Sequence, residues 1–297
     1  MEKNVSHRAA TKEHNHYVPK FWIRGFADDQ NRIHGWDGKS VRQVSSSKVM
    51  QTSWLYTSFD KAWRASDDLE DRLSKMESVA APVFVAINDP QHNPSGDDRL
   101  VICAFIGLQA CRHPDVMNRA HRRARELAEV YARAHDLSVD DFVMRLGGFG
   151  IGATDAAELH RMLCATTQSE LAAQLDELVG LSPQDSRLPM QDALGAYALV
   201  ADAIHRMQLT LLHAPANMTF VLSDTPTPQD DLSKGFAVPI SKTVALLATP
   251  TAGVPTAMTR RSAPPEEVDA INQVQWTNAL NIVVGADPVV LRGLTGP

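Results

Sequence analysis

Apolar side chains recur along this chain with two different periods, and the places where one period gives way to the other outline the fold. From Leu69 onward the residues Leu69, Leu73, Met76, Ala80, Val83, Phe84 and Ile87 are set in a 4-3-4-3 rhythm, which collects them on one face of an α-helix. Ser66 stands where an N-cap is expected, and Asn88-Asp89-Pro90 is where the helix should stop. A second helix is predicted from Arg99 to about Arg112, with a break at His113-Pro114. Helical pattern resumes at Asp115 and runs toward His135, and shorter helices are expected around 138–145, 155–163 and 167–180. A long apolar helix is expected from about Pro189 to His213, with Ala193, Tyr197, Val200, Ala201, Ile204, Met207 and Leu211 at core spacing.

Period-two alternation appears at both ends. Arg32 to Trp36 and Ser40 to Val44 flank Asp37-Gly38-Lys39, the signature of a β-hairpin. Beyond the long helix, Met218 to Leu222, Gly235 to Ile240 and Thr243 to Thr249 are short β-rich runs separated by Pro and Gly, followed by a helix near Pro265 to Leu280 and a strand at Asn281 to Val284. These elements predict an α+β protein: a mainly helical body, an N-terminal β-hairpin and a small C-terminal antiparallel sheet. Residues 14–285 are expected to form a single domain, with a disordered tail at 1–13 and a C-terminal tail at 286–297.

Composition narrows the class. At 297 residues, with 44% hydrophobic and 22% charged content, the chain can bury a sizeable core. Cys103, Cys111 and Cys164 form an odd set without paired spacing, which indicates neither a disulfide framework nor a structural zinc site and fits a reducing, cytoplasmic setting. The N-terminus lacks the apolar segment of a secretory signal, and no run of roughly 18 apolar residues could cross a bilayer, so no membrane association is expected. The net charge of -6 argues against broad nucleic-acid binding. Residues 1–50 run against that average, with nine Lys or Arg against five acids for a net +4. A second basic cluster, HRRAR at 121–125, could meet an anion or be a solvated helix face.

Candidate chemistry begins on the second helix. Ile102, Phe105 and Ile106 mark its apolar stripe, and Gln109 falls within that stripe. An amide left unpaired in a dry interior costs about 1–3 kcal/mol, so Gln109 should face a polar partner. Arg112 lies at the edge of the stripe, where a guanidinium can bury its stem and direct its fork at a carboxylate or an anionic ligand. Glu70 and Glu77 border the apolar face of the preceding helix, placed either for ordinary amphipathic flanking or for cation and proton chemistry. Asp224 follows the run ending at Leu222, a rigid place for a ligand or catalytic carboxylate and equally one for an Asx turn. His14 and His16 alternate in an extended segment, so both are expected on one side of it, where they could chelate a metal or His16 alone could act as a base.

Taken in order, HNHYVPKFWIRGFAD, LEDRLSKMESVAAP, FIGLQACRHPD and FVLSDTPTP make the chain resemble the domain of unknown function 4238. Members of that family open on a His-His-Tyr-Val-Pro-like motif followed by an aromatic, an apolar residue, Arg and Phe. They continue through a Glu-rich helix and an apolar helix ending in Gln-x-x-Arg-x-Pro to a strand ending in Ser-Asp-Asn-Pro. The resemblance spans roughly residues 14–285 and implies that His16, Tyr17, Pro19, Arg24, Gln109, Arg112 and Asp224 are motif positions. Asn15 separates the two histidines, and Thr225 stands where the family has asparagine. The resemblance implies a site and no particular reaction.

Two functional readings follow. In the first, His16, Glu77, Gln109, Arg112 and Asp224 converge in one pocket and hydrolyse a phosphodiester, as in a nuclease or nucleotide phosphodiesterase. Asp224, Glu77 and His16 would hold Mg²⁺ or Mn²⁺, His16 would be the base, Arg112 would stabilise phosphoryl charge and Gln109 would orient water. In the second, the same residues form a buried network in a non-catalytic immunity or adaptor protein that binds a protein partner. GGFGIG at 147–152 follows no strand and lacks the Lys-Ser/Thr of a phosphate loop, so it reads as a connection and supplies no nucleotide cofactor signature; serine-triad, zincin and dinucleotide fingerprints are also missing.

Overall fold

The computed structural model describes residues 13–59, 65–179, 195–228, 232–253 and 255–294. The expected tail at 1–13 and the start of the expected long helix, Ala193 included, lie almost wholly outside the described residues. In chain order the elements are β1 (His14–His16), α1 (Lys20–Arg24), β2 (Ile33–Trp36), β3 (Val41–Val44), β4 (Gln51–Ser53), β5 (Ser58–Phe59) and β6 (Ala65–Ser66). The helical body follows: α2 (Asp68–Asn88), α3 (Gly96–Cys111), α4 (Pro114–Ala132), α5 (Val139–Gly147), α6 (Ala153–Ala165), α7 (Gln168–Val179) and α8 (Tyr197–His205). The remainder is β7 (Gln208–His213), β8 (Leu222–Ser223), β9 (Phe236–Pro239), β10 (Val244–Thr249), β11 (Thr259–Ser262), α9 (Pro265–Asn278), β12 (Val283–Gly285) and α10 (Pro288–Gly293).

The α+β class and the hairpin stand: Ile33 to Trp36 pairs antiparallel with Val41 to Val44. That hairpin is not a separate unit, because β2 also pairs with β12 and β12 with β8, giving one four-stranded sheet in the order β3-β2-β12-β8. The second four-stranded sheet, β11-β7-β10-β9, is mixed rather than wholly antiparallel, since β11 runs parallel to β7. The path from β7 to β11 passes through the intervening strands, which leaves the two free to align in the same direction.

The largest core cluster joins α1, α2 and α3 to this mixed sheet. Trp22, Phe84 and Phe105 meet edge to face at centroid distances of 4.9 to 5.7 Å, the arrangement that aromatic quadrupoles favour. Trp22 Nε1 donates to Pro239 O at 3.0 Å, tying α1 to β9. A separate cluster around Phe142, Leu146, Ala156 and Leu171 holds α4 through α7 together.

Three expectations change. The helix expected to reach His213 ends at His205, and Gln208–His213 is a central strand. The cause is tertiary: Arg99, 1% exposed, donates through Nη2 to His205 O and Met207 O at 2.7 Å each, capping α8, while β10 and β11 take the strand's backbone on either side. Ser66 lies one residue ahead of the N-cap Asp67, although its hydroxyl still accepts the Asp68 N–H at 3.2 Å. Finally, residues 288–293, within the expected C-terminal tail, form α10. Its Leu291 is buried with Trp36, Val221 and Val283, and Trp36 in turn stacks on Trp276 at 4.1 Å.

Candidate functional site

The apolar stripe of α3 carries Ile102, Phe105 and Ile106 into the core, and the helix stays in register because Ser95 and Asp98 close a capping box at its start. Gln109 and Arg112 follow on the same side and are each 1% exposed. Gln109 Nε2 donates to Tyr17 O at 2.7 Å. Arg112 donates in three directions: Nη2 to His16 O at 2.7 Å, Nε to the Tyr56 hydroxyl at 3.0 Å, and Nη1 to Glu77 Oε1 at 2.8 Å. Tyr56 closes the circuit by donating to Arg112 O at 3.1 Å. The end of α3 therefore clamps the backbone of the HNHYVP segment, with α2 supplying the counter-charge.

This circuit sets its own electrostatics. Burial alone would lower the pKa of Arg112, but the fields and hydrogen bonds of Tyr56 and Glu77 outweigh it and hold the guanidinium charged. Burial raises Tyr56, with Glu70 and Glu77 adding to it against the opposing pull of Arg112.

The two histidines part company. His14 is exposed and reaches Ser53 Oγ only at 3.5 Å. His16 is buried, and its Nε2 faces Ser46 O at 3.1 Å, so that nitrogen carries the proton. Burial first, then Lys20, lowers its pKa to about 4. Asn15, fully buried between them, accepts the Tyr56 N–H at 3.3 Å. His14 and His16 stand two apart in β1, as expected, and the field of His14 reaches the His16 ring, but one is exposed and the other buried.

Asp224 sits at the end of β8, fully buried. Its Oδ1 accepts Leu280 N at 2.9 Å, and its Oδ2 accepts Asn281 N at 2.9 Å and Asn281 Nδ2 at 3.0 Å. Thr225, in place of the family's asparagine, donates to Asn278 O. Next to it Gln275 accepts from Ser223 N and Oγ and donates to Pro226 O, while Asn272 bridges Val221 N and Thr219 O. Sequence reasoning missed this amide ladder on α9. The available signal was two amides three residues apart on the stripe that also bears Val268 and Ile271.

His113 and Tyr56 were likewise missed as site residues. His113 caps α4 by accepting Asp115 N at Nδ1, 3.1 Å. Its Nε2 therefore bears hydrogen, and this buried atom has no partner among the described residues. The ring packs edge-on against Tyr17 at 5.0 Å. Burial lowers the His113 pKa, against the opposing field of Asp224, and burial together with Asp224 raises that of Tyr17. Tyr17 thus links the two halves of the predicted set: its carbonyl meets Gln109, and its ring lies with His113 in the field of Asp224.

The proposed ligand trio His16, Glu77 and Asp224 does not fit Mg²⁺ or Mn²⁺. Both Asp224 oxygens are occupied by N–H donors, Glu77 Oε1 is held by a guanidinium, and His16 turns an N–H toward a carbonyl. Hard cations need several free oxygens, and among the described residues no three His, Cys, Asp or Glu side chains gather as a metal-holding group. The basic cluster takes another form. Arg119, Arg122, Arg123 and Glu126, with Phe149 from the GGFGIG connection between α5 and α6, line an open groove of about 530 Å³, and Arg123 donates to Phe149 O at 2.7 Å.

Among the described residues no helix is long and apolar enough to cross a membrane. Neither the curated proteins nor the solved structures contain a match to the chain. Residues 14–288, from the histidine motif clamped by Arg112 to the strand and turn beyond the Asp224 carboxylate, match the family described as protein of unknown function (DUF4238), and the chain belongs to that family.

Proposed function

We propose that this protein is a non-catalytic binding protein of the cytoplasm, in which His16, Glu77, Gln109, Arg112 and Asp224 form the internal scaffold that presents its surface to a protein partner. The carrying observation is the state of Arg112: 1% exposed, with Nε, Nη1 and Nη2 all bonded within the chain. A residue that stabilises charge on a substrate must keep donors aimed at that charge, whereas a closed buried network rigidifies a fold. The three cysteines are free thiols, which suits a reducing compartment. The test is thermal unfolding across Mg²⁺, Mn²⁺ and Zn²⁺, run with hydrolysis assays on single-stranded DNA, RNA and bis(p-nitrophenyl) phosphate. The reading expects an unchanged melting temperature and no turnover; turnover lost in Asp224→Asn, with the fold retained, would overturn it.

Phosphodiester hydrolysis remains the second reading, and one observation favours it. The unpartnered His113 Nε2–H lies against Tyr17, and the field of Arg119, from the arginine groove, reaches its ring. On that reading a phosphodiester binds the groove and His113 serves the reaction. Turnover that falls at least tenfold in both His113→Gln and Arg122→Met would favour it.

A further inference from the structure

We propose that the cavity beside Arg24 is a binding site for a small organic phosphomonoester. The cavity encloses about 330 Å³ between the end of α1, the turn before β2 and the Ser45–Ser46 loop after β3. Its polar lining is Arg24, Asn31, Gln43, Ser45 and Ser46, and no acid contributes to it. Ala27, Ile33 and Val44 supply apolar wall.

The charge of Arg24 is uncommitted. No hydrogen bond or ion pair engages its guanidinium among the described residues. The two acids that follow Arg24 most closely are already engaged, Asp28 with Arg32 at 2.7 Å and Asp29 with Lys242 at 2.7 Å. Asp28 also accepts the backbone N–H groups of Gln30 and Arg32, which fixes the turn that carries Asn31 into the wall. Other residues of the HNHYVPKFWIRGF motif are spent on architecture, Trp22 on β9 and His16 on Ser46. Arg24 is left facing the cavity.

The lining selects the ligand class. The Ser45 hydroxyl is held by Ser47 at 2.8 Å, but one guanidinium, two amide side chains and Ser46 still offer more donors than the two oxygens of a carboxylate can use, whereas a phosphomonoester presents three acceptor oxygens and up to two charges. A bare phosphate fills a small part of the cavity, which lies at the lower end of the range for organic ligands, and the apolar wall suits a short carbon skeleton. This site is independent of the reading of the buried network.

The test uses the full chain, titrated with glycerol 3-phosphate, inorganic phosphate and succinate at matched ionic strength while thermal unfolding is followed. Glycerol 3-phosphate is expected to raise the melting temperature by about 3 °C or more with saturation, and at lower concentration than inorganic phosphate. Arg24→Met, at an exposed position, should fold normally and lose the response; Arg122→Met, in the other basic groove, should keep it. No saturable rise, or one that survives Arg24→Met, would overturn the site. An equal response to succinate, or tighter binding of inorganic phosphate, would overturn the phosphomonoester assignment.

Discussion

Arg112 donates to Glu77 at 2.8 Å with its own side chain 1% exposed and that of Glu77 26% exposed, so the pair straddles the boundary between core and solvent. Removing one member leaves the other partner's charge uncompensated, which in buried pairs costs about 3–5 kcal/mol. Arg112→Met, which also strands the Tyr56 hydroxyl and the His16 carbonyl, should lose stability in that range by urea denaturation. Glu77→Gln should lose less, on the order of 2 kcal/mol, because solvent reaches that side. In a double-mutant cycle the two losses should be less than additive; simple additivity would show that the pair contributes nothing.

Asp224 joins β8 to the start of β12 through three N–H donors. Asp224→Asn keeps the shape but replaces one acceptor oxygen by an NH₂ facing other donors. The expected loss is about 2–4 kcal/mol, the scale of charge-assisted hydrogen bonds left unmade in the interior. Amide exchange at Leu280 and Asn281 should accelerate with it; unchanged exchange there would mean the carboxylate does not hold the turn.

His16 ties stability to pH. Its pKa falls from 6.5 in the unfolded chain to about 4 in the fold, so between those values the unfolded state binds the extra proton. Stability is fully present above pH 6.5 and declines as pH drops toward 4, by at most about 3 kcal/mol from this group. Burial of His113 acts in the same direction. Comparing unfolding free energies at pH 7 and pH 4.5 for the wild type and His16→Gln isolates the contribution from that of the carboxylates. The variant should show the shallower decline, and equal slopes would contradict the buried neutral imidazole.

Gly107 marks the closest approach of α3 to α8. A Cβ there would lie 2.8 Å from Ala201 N and 3.0 Å from Ala201 Cα, against backbone that cannot move aside alone. Alanine gains about 1 kcal/mol of helix propensity over glycine, while overpacking costs about 1–3 kcal/mol. Gly107→Ala is expected to be net destabilising, read as a lower urea midpoint with unchanged slope. A stabilised variant would show that the two helices can separate freely.

How far the sequence could be read depended on whether the deciding partner was local. The rhythm from Leu69 to Ile87 is a property of adjacent turns, and that helix forms as predicted. Gln109 was legible as a polar group on an apolar stripe and Arg112 as one at its edge, since side-chain spacing alone places them there. Their partners were not, because the acceptors are the carbonyls of His16 and Tyr17, and a backbone carbonyl leaves no mark in a sequence. Asp224 shows the same limit from the other side. A carboxylate that accepts N–H groups and one that binds a cation are spelled alike.

By itself, then, the sequence determined the helical body, the hairpin and the burial of a defined polar set, because periodicity and side-chain polarity act over a few residues. The tertiary structure alone decided that 208–213 is a strand. Arg99, more than a hundred positions away, takes the carbonyls that would have continued α8, and β10 and β11 supply the ladder in their place. It also decided the partners of the polar set, Tyr56, Glu77 and the His16 carbonyl for Arg112 and the turn at Leu280 and Asn281 for Asp224, since hydrogen-bond satisfaction in a dry interior depends on which groups meet in space.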